Sequence, residues 1–153
     1  MAKVKPIPEG LHSLTPSLTV EGAAEAIEFY KRAFGAVEHG RAPDPTGKKI
    51  WHAQLRIGDS ALFINDASPE LGSVAKASKL WIYSAGVDAA FKRATEAGAK
   101  PAMPPADMFW GDRMAQVIDR WGNEWFLAER IKDMTPAEMQ KAQETFVAGM
   151  KKK

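Results

Sequence analysis

The sequence predicts an α+β fold assembled from two copies of one small module, followed by a C-terminal helix. Three observations carry this. Around Thr15–Asn65 and again around Lys79–Glu129 the patterns run in the same order: apolar strand, amphipathic helix closing at glycine, polar loop, strand, glycine-containing turn, strand. Thr15 answers Lys79, Ala23 answers Val87 and Gly58 answers Gly122, a constant spacing of 64 residues. After the second copy, Thr135-Pro136-Ala137-Glu138 has the N-cap, proline-first and capping-box order of a helix start. Two copies are too few for a solenoid, so the expectation is one closed, pseudo-symmetric domain with a cleft where the halves meet.

The elements follow in order. Pro6 and Pro8 make residues 1–11 an extended lead-in. Leu14–Val20 alternates as a strand, and Pro16 argues for an edge or a bulge. Ala23, Ile27, Tyr30 and Phe34 form one apolar stripe on a helix that Gly35 stops. Arg41–Lys49 reads as a turn around Pro43-Asp44-Pro45-Thr46-Gly47. In Ile50–Ile57, Ala53, Leu55 and Ile57 face one way and His52, Gln54 and Arg56 the other. Gly58-Asp59 turns the chain into Ala61–Asn65, and Ala67–Ser78 links the halves. The second copy opens with Leu80–Ser84. A helix over Val87–Ala97 buries Val87, Phe91 and Ala94 and closes at Gly98. A loop with Pro101, Pro104 and Pro105 leads through Phe109–Arg113 to strands Met114–Ile118 and Glu124–Ala128. Met139, Ala142, Phe146 and Met150 give the last helix an apolar stripe that needs a surface to cover it.

Composition excludes several classes of function. The 153 residues suit a single domain, with module one at about 12–66, module two at about 79–130 and the last helix at about 136–150. A net charge of +2, with basic residues scattered among acids, argues against nucleic acid as a partner, and the Lys151-Lys152-Lys153 end reads as solvated. No apolar stretch is long enough for a membrane span, and the N-terminus lacks the apolar run of a signal peptide. The absence of cysteine removes disulfides, thiol nucleophiles and thiolate metal sites, and fits a cytoplasmic protein.

Five segments together carry a family resemblance: Leu18–Phe34 with its Phe29-Tyr30 and Phe34-Gly35; the strand His52–Gly58; Phe109-Trp110-Gly111-Asp112-Arg113; Asp119-Arg120-Trp121-Gly122-Asn123; and Met134–Glu138. The chain resembles the vicinal oxygen chelate superfamily (glyoxalase, bleomycin-resistance and dioxygenase proteins), and within it the PhnB-like branch. The resemblance covers nearly the whole chain. It implies paired βαβββ modules, a curled eight-stranded sheet around a cleft, and commonly a homodimer. It also implies where a metal would be held: by a first-strand residue and a last-strand residue of each module. Here those positions are Thr15 and Lys79, and Phe63 and Phe126, with Leu62 open as the alternative to Phe63. Neither phenylalanine nor lysine suits a hard cation, so no metal and no cofactor is expected. Glu124 and Glu129 are not simple substitutes.

The candidate ligand-binding residues are His52, Gln54, Phe63, Trp81, Tyr83, Trp110, Arg113 and Phe126. The aromatic members suit a flat, partly apolar ligand, or else simply fill the cleft. His52 is a pocket residue and the one weak candidate for a catalytic base, set against a structural histidine. Asp112 and Arg113 together would clamp a polar ligand or pin their own loop. Trp121 and Trp125 read as packing residues, and Asp119 with Gly122-Asn123 as turn chemistry. The expected function is binding of a small aromatic or amphipathic molecule without a metal. The alternatives are an enzyme of lyase or dioxygenase type, using non-standard metal ligands or His52, and a dimeric scaffold with a filled cleft.

Overall fold

The computed structural model describes residues 2–152. It contains eight strands and three α-helices in the order β1 (Ser17–Val20), α1 (Ala23–Phe34), β2 (Val37–Pro43), β3 (Ile50–Ile57), β4 (Ser60–Asp66), β5 (Lys79–Tyr83), α2 (Val87–Glu96), β6 (Lys100–Asp107), β7 (Asp112–Ile118), β8 (Glu124–Arg130) and α3 (Pro136–Lys151). A single 3₁₀ turn, Pro69–Leu71, lies in the link. The chain divides into two compact units, Met1–Ser78 and Lys79–Lys153. Each is a βαβββ module with a four-stranded sheet, ordered β1-β4-β3-β2 in one and β5-β8-β7-β6 in the other. The first strand of each sheet runs parallel to the last, and the remaining pairs are antiparallel.

In the first unit, α1 covers one face of its sheet. Ala23, Ala26, Ile27 and Tyr30 are buried against Leu18, Val20, Ala53, Leu55, Leu62 and Ile64. Tyr30 stacks on Phe34 at 5.8 Å, so the predicted stripe forms as a packed face. The helix begins where it does because Asp66, at the end of β4, accepts from Gly22 N and Ala23 N at 2.9 Å each. That supplies from a distant strand the acceptor that an N-cap side chain would otherwise provide. Gly35, at φ 68°, closes the helix in the left-handed region. The second unit repeats the plan. Val87 and Ala94 of α2 are buried over Ala115, Val117, Trp125 and Leu127, and Glu129 of β8 accepts from Gly86 N at 2.9 Å.

Two segments read as turn or loop contain strands. Arg41–Lys49 is not all turn, because Val37–Pro43 pairs with β3. The proline-bearing loop is strand β6, paired with β7 through two register shifts. Both are edge strands exposed along nearly their whole length. They lack the apolar alternation that marks a half-buried strand, and three of β6's eight residues are proline. The first strand is also shorter than Leu14–Val20: Leu14 is exposed and pairing begins at Ser17.

The last helix has its capping box, with Glu138 N donating to Thr135 Oγ1 and Thr135 N donating to Glu138 Oε2. Its apolar stripe is not buried among the described residues. Phe146 meets Phe109 at 4.9 Å between ring centroids yet stays half exposed, and Met150 is exposed.

Candidate functional site

The face of the second sheet opposite α2 carries an aromatic ladder. Strand alternation sends Trp125 and Leu127 to the helix side and Glu124, Phe126 and Ala128 to the other. Register then places Trp81 beside Phe126, Tyr83 beside Ala128 and Lys79 beside Glu124. Trp81 lies nearly parallel to Phe126, at 4.8 Å and 12°, and to Tyr83, at 6.2 Å and 21°. Lys79 Nζ sits 5.3 Å from the Phe126 ring centre, on its face. Trp81 is 44% and Tyr83 56% exposed while Phe126 is half-buried, so the ladder is partly open to solvent. Gln116 extends the Trp81–Phe126 row and donates to Glu124 Oε1 at 2.8 Å.

One buried carboxylate fixes the end of this ladder. Asp112, at the start of β7, is fully enclosed. Its Oδ2 accepts from the Tyr83 hydroxyl at 2.7 Å and from Trp110 Nε1 at 3.0 Å, and its Oδ1 from Arg130 Nε at 2.7 Å. Burial alone would raise the Asp112 carboxyl, but the bonds from Tyr83, Arg130 and Trp110 outweigh it and hold the group below its ordinary value. The same bond to Asp112 pushes the Tyr83 phenol up, which keeps it a neutral donor. Tyr83 and Trp110 are therefore oriented by their polar ends.

Asp112 and Arg113 do not act together. Adjacent strand residues point to opposite faces, and Arg113 goes to the helix side. There its guanidinium binds Asp88 of α2 through two bonds, at 2.7 and 2.9 Å, and Asp107 of β6 at 2.8 Å. The bond to Asp88 is the main cause of a guanidinium pKa above its ordinary value. Arg113 thus ties α2 to the sheet and is not brought to the face that holds Trp81, Tyr83 and Phe126.

In the first unit the corresponding uncovered face holds His52, Gln54 and Phe63. Phe63 points away from the helix while Leu62 and Ile64 are buried, which decides between Phe63 and Leu62. Register sets Phe63 between Ser17 and Gln54. Gln116 beside Phe126 repeats Gln54 beside Phe63. The repeat could therefore have pointed to Gln116, as the parity of Phe126 could have pointed to Arg130. His52 is exposed and meets Phe63 edge-on at 4.7 Å. It has no hydrogen-bonded carboxylate to orient its ring. Trp51, next to it, is 52% exposed where the register slips between Ala42 and Pro43.

The donor set does not fit the divalent metal associated with this fold. Lys79 neighbours Glu124 and places an ammonium where a ligand would stand, and Phe63 and Phe126 offer no lone pair. Among the described residues no group of three or more His, Asp or Glu side chains is placed to hold a metal ion. Protein purified without added metal is expected to carry nickel, zinc, iron and manganese at well under one equivalent each. Near-stoichiometric content in elemental analysis would overturn that expectation.

The turn from β7 to β8 is structural, as its composition implies. Asp119 accepts from Trp121 N and Asn123 N at 2.9 Å each, and from Trp125 Nε1 at 2.9 Å. Gly122 takes the positive φ there, at 85°, and Asn123 does not.

Residues 10–127 match the model of the Glyoxalase/Bleomycin resistance protein/Dioxygenase superfamily, and the chain belongs to that family. An uncharacterized protein of Mycobacterium bovis is 39% identical over 141 residues, covering 85% of this chain and 91% of that one. Among solved structures, TioX from Micromonospora sp. ML1 is similar with a TM-score of 0.66 and 26% identity, covering 78% of this chain and 98% of that chain. A glyoxalase/bleomycin resistance protein/dioxygenase from Nocardioides shares the fold, with a TM-score of 0.61 and 18% identity, covering 87% of this chain and 90% of that chain. The matched region ends at residue 127, so α3 lies outside it. No described helix is long and apolar enough to cross a membrane.

Proposed function

We propose that this protein binds a small, planar, partly apolar molecule by stacking it on the Tyr83–Trp81–Phe126 face, without a metal. The observation that carries the reading is the ladder itself. Three rings lie near-parallel, Tyr83 and Trp81 exposed and Phe126 half-buried, and a buried carboxylate holds the Tyr83 end. A monomeric fold gains little by exposing such a surface, and a preformed aromatic wall with few polar anchors suits a flat ligand. The face holding His52, Gln54 and Phe63 is the second place where such a ligand would find a ring and hydrogen-bonding partners. A general-base role for His52 lacks support, because no carboxylate is hydrogen-bonded to its imidazole.

Titration calorimetry with a panel of planar aromatic compounds tests this. The parent is expected to bind members of the panel. Trp81→Ala should weaken the best of them about tenfold, the scale of a lost aromatic pair. Its thermal unfolding should shift little, since Trp81 is nearly half exposed. His52→Ala would weaken binding if the first unit's face contributes. If Trp81→Ala, His52→Ala and Trp110→Ala all bind as the parent does, the ligand face is wrongly placed.

A further inference from the structure

We propose that the ligand of the aromatic ladder is a planar acid, and that Arg130 receives its carboxylate. This rests on the stacking role of Tyr83, Trp81 and Phe126 and adds the chemical class of what stacks there. Arg130 is the last residue of β8 and shares the parity of Phe126 and Ala128, so it rises from the same face as the ladder. It pairs across the sheet with Asp112, next to the row that holds Tyr83. Its Nε is bound to Asp112 Oδ1 at 2.7 Å. That bond holds the guanidinium beside Asp112, while half of the side chain remains open to solvent. Asp112 offsets one charge, but it is enclosed and its oxygens are taken by Tyr83, Trp110 and Arg130. What the face presents outward at this end is the donor edge of a held guanidinium, the group that matches a carboxylate by shape as well as charge.

The other cation on this face is a poorer candidate. Lys79 lies over the Phe126 ring and beside Glu124, with a flexible stem and no fixed fork. An acid group at the Arg130 end leaves the body of the ligand lying along Tyr83, Trp81 and Phe126. The same group at the Lys79 end would meet an ammonium that already covers a ring and neighbours the Glu124 carboxylate.

Titration calorimetry with 2-naphthoate and its neutral counterpart 2-naphthamide separates this proposal from the reading beneath it. The parent is expected to bind both, the acid at least tenfold more tightly. Arg130→Gln should bring the acid down to the level of the amide and leave amide affinity within twofold. Because Arg130→Gln strands the Asp112 carboxylate, the double variant Asp112→Asn/Arg130→Gln serves as a second test and should abolish the preference in the same way. Lys79→Gln should keep it. Equal binding of acid and amide by the parent would overturn the proposal, as would a preference that survives both Arg130 variants or disappears with Lys79→Gln. If the parent binds neither probe, or Trp81→Ala leaves amide binding unchanged, the stacking face itself is wrong and the acid preference falls with it.

Discussion

Trp125→Ala is expected to lower the unfolding free energy by about 3–5 kcal/mol, the range for removing a large buried aromatic side chain. Trp125 is 1% exposed on the helix side of β8. Its Nε1 also donates to Asp119 Oδ2 at 2.9 Å, in the turn that joins β7 to β8. Truncation would open a cavity under α2 and remove a donor from that turn's central carboxylate. Trp125→Phe separates the two effects. It keeps most of the ring volume and loses the hydrogen bond, so a cost of about 1–2 kcal/mol is expected. Chemical denaturation followed by circular dichroism reads both values. A loss below about 1 kcal/mol for the alanine variant would show that Trp125 is not a core residue.

Gly111→Ala is the second large effect. Gly111 sits at φ 96°, and a methyl group there would collide with the Lys132 carbonyl oxygen and press on Met134 Cγ at 3.3 Å. The Gly111 carbonyl accepts from both Ile131 N and Lys132 N, so the two backbone segments cannot part without losing those bonds. Conformational strain and overpacking together should cost about 3 kcal/mol or more. Gly111 lies between Trp110 and Asp112, so ligand binding on the aromatic face should weaken as well. Gly47→Ala is the control. It has a similarly positive φ of 71° with nothing near the added carbon, so strain alone should cost about 1–2 kcal/mol. Equal losses for the two variants in denaturant unfolding would show that close approach to Lys132 is not the cause.

The repeat and its apolar faces were legible because burial writes a period into the sequence. Helix α1 begins and ends at Ala23 and Phe34 as the stripe implies. Alternation also places Phe63 and Phe126 on the faces away from the helices and Trp125 in the core. The edge strands β2 and β6 carried no such signal, because they are exposed along nearly their whole length and bury no apolar face. The site was legible as a set of rings but not as an arrangement. A pattern reading that starts the strand at Met114 leaves Asp112 and Arg113 together in a loop, where they read as one charged pair. The strand starts at Asp112, and alternation sends the two side chains to opposite faces and to separate partners. Arg130 was hidden for a similar reason: β8 continues past Ala128 to Arg130, and its partner lies 18 residues earlier in the chain.

The prolines of β6 have a consequence for how the second sheet meets other chains. A free sheet edge offers alternating N–H and C=O groups that a strand from another molecule can adopt as a template. Pro101, Pro104 and Pro105 take three N–H groups out of an eight-residue edge, and two register shifts bend what remains. The edge therefore cannot be extended continuously by a further strand. Growth into ribbons or fibrils from this side is blocked by covalent structure, without relying on charge or on a covering helix, so the protection holds at any pH or salt concentration in which the sheet is folded.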